Sequence, residues 1–345
     1  MTDHDTTQAL LAPYALDAVD VDEALEIEAH LDTCIDCRDT LSELRETVDL
    51  LGAATTSAPP PALQDRIVEA ALRRRPARPA PIAPTQLHLI EASRLVSLLA
   101  DLPAPRWQTP IGPALPGWNV QDLAAHLAAS EALLAAQLGA EPFTPEVEDQ
   151  PTARAGPAIE RHRTLSPLET LTELETAYAR VTQAVADLGP DAERGTVSWF
   201  GLDLTLGQAL TQRAFEIWTH ADDIRSAVGM ELIAPPAPSL HTMSATAVES
   251  IPILLASTGA DAEGRRARIT LDGPGGDIYL VDLGLTPDGA HVADRQPDVS
   301  LELDVVTFCR ALADRVAPDQ VAYRASGDAV LARAIVDSLP ALAVL

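Results

Sequence analysis

The chain has 345 residues, 47% of them apolar but only 3% aromatic, with a formal charge of −27 in which all 24 basic residues are arginine. That length exceeds one ordinary core and predicts two or three domains, built on Ala, Leu and Val. The charge argues against non-specific binding to nucleic acid or to anionic membrane surfaces, both of which need clustered positive charge. Three cysteines make no disulfide framework, the start MTDHDTTQAL lacks the basic and apolar parts of a secretory signal, and no apolar run reaches membrane-spanning length, so a cytoplasmic protein is expected.

Residues 1–52 read as short helices. QALLAPYAL has helical apolar spacing, DVDEALEIEAHL opens with acidic capping residues, and RDTLSELRETVDLL sets Leu41, Leu44, Val48 and Leu51 on one face. Between the last two lies AHLDTCIDCRDTLSEL, in which His30 and Cys34 are four apart and Cys34 and Cys37 three apart. On or beside a helix those spacings aim all three side chains at one point. Imidazole and two thiolates are the donors zinc prefers, and His4 is the nearby spare for a fourth position. A segment this small and poor in large hydrophobes also gains from a metal staple. The plain alternative makes the two cysteines core fillers and His30 a surface histidine. After the break GAATTSAPPP, ALQDRIVEAALRRR forms an amphipathic helix, followed by the proline-rich linker RPARPAPIAP. The boundaries are 1–75 for the first domain and 76–84 for the linker.

Residues 1–75 resemble the zinc-binding anti-sigma-factor domain of bacteria, on His30-x3-Cys34-x2-Cys37, the upstream His4 and the trailing helix. The resemblance implies a structural or redox zinc on those four residues and a sigma factor as partner. Residues 1–72 hold 16 Asp and Glu against three Arg, which suits a basic partner, although such a run also serves as a solvated face.

Four long helical patterns follow at about 85–102, 119–138, 167–188 and 205–228, joined by loops rich in Pro and Gly, among them EPFTPEVEDQPTARAGP. They predict a four-helix bundle over 85–230 with a site inside it. WNVQDLAAHLAASEALL carries His126, and LTQRAFEIWTHADDIRSAV carries Glu216 and His220 four apart on one face. Two imidazoles and a carboxylate leave a coordination position open, the pattern of a catalytic divalent metal, most simply zinc. A lone helical histidine is ordinarily a satisfied group; three such residues together invite the metal reading.

From 231 to 345 the texture changes to a smaller α+β domain. ARITLDGPGGDIYLVDLG reads as a hairpin, VSLELDVVTFCRALADRV as a strand leading into a helix, and GDAVLARAIVDSL as a final helix. Cys309 reads as a small buried hydrophobe.

Residues 85–228 resemble the DinB-like metal-binding bundle of mycothiol-dependent maleylpyruvate isomerases, carried by PGWNVQDLAAHLAASE and EIWTHADDIRSAVG. Residues 231–345 resemble the sterol-carrier-like C-terminal domain of the same enzymes, carried by VTFCRALADRV and SGDAVLARAI. The overall expectation is thus a mainly α multidomain chain. The resemblance implies that His126, Glu216 and His220 bind a divalent metal, that mycothiol supplies the thiol, and that a C-terminal arginine, Arg310 or Arg315, serves activity toward a small anionic substrate. RALADRVAP departs from the Gly-Arg step common in that family. Two functions are expected from these parts: a metal- and mycothiol-dependent isomerase or thiol transferase with an added regulatory domain, or an anti-sigma factor whose bundle senses a ligand.

Overall fold

The structure, a computed structural model, describes residues 4–55, 80–113, 115–141, 151–199, 202–284 and 296–343. The chain divides into two compact units, Met1–Arg75 and Pro76–Leu345. The amphipathic helix expected at 62–75 and residues 76–79 of the proline-rich linker lie outside the described residues.

In the first unit, α1 (His4–Ala15), α2 (Val21–Leu31) and α3 (Ile35–Thr55) surround a small core of Leu11, Ile27, Cys37 and Leu41. α2 starts where its sequence says it must. The Glu23 N–H donates to Asp20 Oδ1 at 2.8 Å, and the Asp20 N–H donates back to Glu23 Oε2 at 3.1 Å. This reciprocal cap satisfies two donors that the first turn leaves orphaned. Of the stripe read along α3, Leu41 is buried and Leu44 and Val48 are half-buried.

The second unit opens with α4 (Pro84–Ala100), α5 (Val120–Gln137), α6 (Pro151–His162) and α7 (Pro167–Leu188). A hairpin of β1 (Thr196–Trp199) and β2 (Leu202–Thr205) then leads into α8 (Leu206–Ala227). α5, α7 and α8 each begin on a capping box, at Asn119/Asp122, Ser166/Glu169 and Thr205/Gln208. α4 packs on α8 and α5 on α7, so the four expected helices are present as the frame of the bundle. α6 was not expected, because its first seven residues, PTARAGP, were read as loop. Pro151 sits at the start, where it has no helical bond to lose, and Pro157 removes one N–H. Burial of Ala158, Ile159 and His162 beside α5 offsets that loss.

The remainder comprises α9 (Ala237–Glu249), α10 (Ile251–Ser257), β3 (Arg266–Asp272), β4 (Ile278–Asp282), β5 (Val299–Asp304), α11 (Val305–Leu312), β6 (Tyr323–Gly327) and α12 (Ala329–Ser338). The expected hairpin is β3–β4, antiparallel with Ile269 opposite Tyr279, and the expected strand-to-helix passage is β5–α11. The sheet order is β4-β3-β5-β6, with β3 and β5 parallel. Alternation in β3 and β5 buries Ala267, Ile269, Leu271, Val299, Leu301 and Leu303. The short edge strand β6 and helices α9 and α10 went unread in the sequence. One buried cluster joins this sheet to Leu87 of α4 and to Ala214 and Trp218 of α8. α8 is therefore covered on both sides. That coverage sets up the site.

Candidate metal centre

Among the described residues, two groups of His, Cys and acidic side chains bring their ligand atoms within 4.8 Å of one another: His4, His30, Cys34 and Cys37, and His126, Glu216 and His220.

The first group is assembled by the ends of three helices. His4 opens α1, His30 lies in the last turn of α2, and Cys34 and Cys37 flank the start of α3. His4 Nδ1 is 3.6 Å from Cys34 Sγ and 3.5 Å from Cys37 Sγ. The turn is closed by the Cys34 N–H donating to the His30 carbonyl at 3.0 Å. His30 Nε2 is buried and has no hydrogen-bond partner. A buried orphan nitrogen calls for an explanation, and it faces a cluster of two sulfurs and another imidazole. Burial, and then the neighbouring Cys34, push the Cys37 thiol up. A divalent cation reverses that logic and holds thiolates.

The second group sits between α5 and α8. Glu216 and His220 are one helical turn apart, and His126 reaches them across the bundle. His126 Nε2 lies 2.9 Å from Glu216 Oε1, and His220 Nε2 lies 3.8 Å from the same oxygen. The two imidazoles stand perpendicular, with centroids 5.7 Å apart, and the Trp118 ring lies 5.3 Å from that of His126. The side chains of His126 and Glu216 are 20% and 22% exposed, so the cluster opens to solvent on one side. Burial lowers the His126 pKa although Glu216 opposes it, which keeps this imidazole neutral at physiological pH. Burial alone would raise Glu216, but the Arg213 charge and the contacts with His126 and His220 outweigh it and hold the carboxyl far below its usual range.

The groups behind these three residues escaped the sequence reading. Arg213, fully buried, donates through Nη1 to Glu216 Oε2 and through Nε to Glu131 Oε1 at 2.9 Å. Glu131 Oε2 accepts from His88 Nε2 at 3.0 Å. Although burial opposes it, the charges of His88 and Arg213 lower the Glu131 pKa. On the other flank His220 Nδ1 donates to Asp223 Oδ2 at 2.9 Å, which leaves Nε2 as the nitrogen turned toward Glu216. Asp223 also accepts from Arg315, Nε to Oδ1 at 2.7 Å and Nη2 to Oδ2 at 2.8 Å. Against the opposing effect of burial, Arg315 and His220 hold its carboxyl at about 2. Arg310 pairs instead with Asp222, its Nη2 at 2.9 Å from Oδ2, beside the Trp218 ring. Both candidate arginines thus bind carboxylates of α8. A signal for this existed: in RAFEIWTHADD the charged and imidazole residues 213, 216, 220 and 223 recur every three or four positions, along one face. Cys309 is fully buried and its thiol is pushed strongly up, as a core filler requires.

Residues 88–225 match the family model described as "Mycothiol maleylpyruvate isomerase N-terminal domain". Two solved structures are similar to the chain: the mycothiol-dependent maleylpyruvate isomerase, at 22% identity and a TM-score of 0.46, and a point mutant of it, at 21% and 0.47. Each similarity covers 70% of this chain and 91% of the other. No curated protein matches. The match over 88–225 relates the bundle to the isomerase domain, and the comparisons add nothing to the anti-sigma resemblance of residues 1–75. Among the described residues no helix is long and apolar enough to cross a membrane.

Proposed function

We propose that the protein is a metal- and thiol-dependent isomerase or thiol transferase of the maleylpyruvate isomerase type, carrying a second, metal-clasped helical module at its start. The observation that carries the reading is the convergence of His126, Glu216 and His220 inside the stretch that matches the isomerase domain. Two nitrogens and one oxygen with an open side suit an ion that must still accept a ligand. His126 and His220 would hold it through Nε2 and Glu216 through Oε1, while Arg213 occupies Oε2 and Asp223 fixes the His220 ring. A divalent ion there supplies a positive charge that ionises a thiol at neutral pH. Mycothiol is the thiol that the family match supports. The reaction served is reversible addition of a thiolate to a cis double bond flanked by carbonyls. Rotation about the new single bond and loss of the same thiolate complete it, and S-transfer would use the same groups. The Trp118 ring packs beside His126, with centroids 5.3 Å apart.

For residues 1–75 the two-nitrogen, two-sulfur set and the orphan His30 nitrogen support a closed zinc clasp. The acid excess of this segment supports a basic protein surface as its partner, a sigma factor under the anti-sigma resemblance. The test is elemental analysis joined to a turnover assay with maleylpyruvate and mycothiol. The intact chain is expected to hold about two ions, Cys34→Ala to lose one, and His126→Ala to lose the other together with thiol-dependent turnover. Undiminished turnover in His126→Ala refutes the catalytic reading.

A further inference from the structure

α11 ends in a sharp reversal, capped by the Asp314 N–H donating to the Ala311 carbonyl at 3.0 Å. Asp314 adopts a left-handed backbone, with φ at 56°, a conformation a non-glycine residue adopts at a cost. The next residue turns back, and the Arg315 N–H donates to the Arg310 carbonyl at 2.8 Å. The effect is to aim the Arg315 side chain at α8. There it grips Asp223 with two nitrogens, while Nη1 donates to the Ala313 carbonyl at 2.6 Å. Each guanidinium nitrogen of Arg315 is engaged, so this side chain is committed to Asp223 and is not poised to clamp a substrate carboxylate.

Resting on the metal reading of the bundle, we propose that Arg315 is a positioning residue by which the C-terminal region tunes metal affinity through Asp223 and His220. The chain of contacts is continuous: Arg315 fixes both Asp223 oxygens, and one of them accepts from His220 Nδ1 at 2.9 Å. A bidentate guanidinium leaves the carboxylate one orientation. That orientation sets the imidazole plane and keeps its proton on Nδ1, so Nε2 is presented as a lone pair. Arg310 supplies an internal control, because it makes a similar ion pair from the same segment to Asp222. Asp222 lies two positions after His220, about 200° around the helix, whereas Asp223 lies three positions on and returns to within about 60°. The two arginines resemble each other in burial and partner but differ in which face of α8 they reach.

The experiment measures Zn2+ affinity of the full-length chain carrying Cys34→Ala, by competition with a chromophoric chelator, with nitrogen NMR reporting the tautomer of His220. Arg315→Met and Asp223→Asn are each expected to weaken zinc by roughly 10–100-fold, and to let the His220 proton distribute over both nitrogens. Arg315→Lys, which keeps the charge but loses the fork, should fall between. Arg310→Met should leave affinity and tautomer unchanged while removing an ion pair of the same class. Equal weakening by Arg310→Met and Arg315→Met would reduce the effect to general packing and overturn the proposal. So would an Arg315→Met chain that binds zinc as the parent does. A parent chain that takes up no zinc in the bundle overturns the function above, and this inference with it. A normal parent with an insensitive Arg315→Met overturns this inference alone.

Discussion

Replacing Arg213 by methionine should be among the most damaging single changes in the second unit, for an electrostatic reason. Arg213 and Glu131 are both 0% exposed and 2.9 Å apart. Methionine keeps most of the volume, so the cost is not a cavity. It comes from Glu131, left in the bundle core with His88 as its one remaining partner. Breaking a buried pair from one side costs about 3–5 kcal/mol, because the surviving charge has lost its water without compensation. For a unit of this size each kcal/mol moves Tm by about 2–4 °C, so a fall of roughly 6–20 °C is expected. Adding Glu131→Gln removes the stranded charge, and the double variant should recover about 2 kcal/mol relative to the sum of the singles. The sign with pH follows. Without its arginine, the buried Glu131 loses one of the two charges that hold its pKa down, so its folded-state pKa rises relative to the parent. Its penalty is then largest near neutrality and shrinks as pH falls below about 5. Tryptophan fluorescence in a urea series is the assay, since Trp107, Trp118, Trp199 and Trp218 all lie in the second unit. A deficit under about 1 kcal/mol, or additive single effects, would refute the reasoning.

Two further outcomes are expected. Asp223 and Glu173 are both held at about 2, in each case by hydrogen bonds from neighbouring bases that outweigh burial. Their folded-state pKa values lie below the unfolded ones, so their contribution is complete above about pH 5.5 and is lost as pH falls toward 2; a urea midpoint that rises between pH 5 and pH 3 contradicts this. Gly275 has φ at +90°, and a Cβ there would lie 2.6 Å from the Ala237 carbonyl oxygen, so Gly275→Ala should cost more than about 2 kcal/mol. Gly117, at +85° with open space around it, should cost only about 1 kcal/mol on the same change, and equal effects would discount the steric part.

What the sequence disclosed were features with a local period. The four bundle helices, the acidic cap of α2, the β3–β4 hairpin and the β5–α11 passage follow from apolar spacing and capping residues within a few positions. The ligand residues followed from donor chemistry at one-turn spacing, and both groups converge. What escaped depended on contacts distant in the chain. α6 was hidden by two prolines, because its helical state rests on Ala158, Ile159 and His162 burying in the bundle and not on propensity. β6 reads YRASG, with no strand alternation, and exists because β5 offers it an edge. Arg213 and Glu131 stand 82 positions apart, and no window of sequence contains both.

α8 shows why the polar residues of the site sit where burial should exclude them. Arg213, Asp222, Asp223 and Arg225 are all under 10% exposed on a helix that is covered on both sides. Charged groups persist at such depth when each is paired, and on the side that faces His126 the pairing is unequal. Glu131, Glu216 and Asp223 supply three negative charges, and Arg213 and Arg315 return two. Counted over these carboxylates and guanidinium groups alone, one negative charge is left over. Under the proposed function a divalent ion would more than cancel it, and the excess of one positive charge would match a thiolate in charge. An acidic protein at −27 overall repels anions, so under that proposal a local reversal of sign at this one point is what would make an anionic co-substrate compatible with the chain.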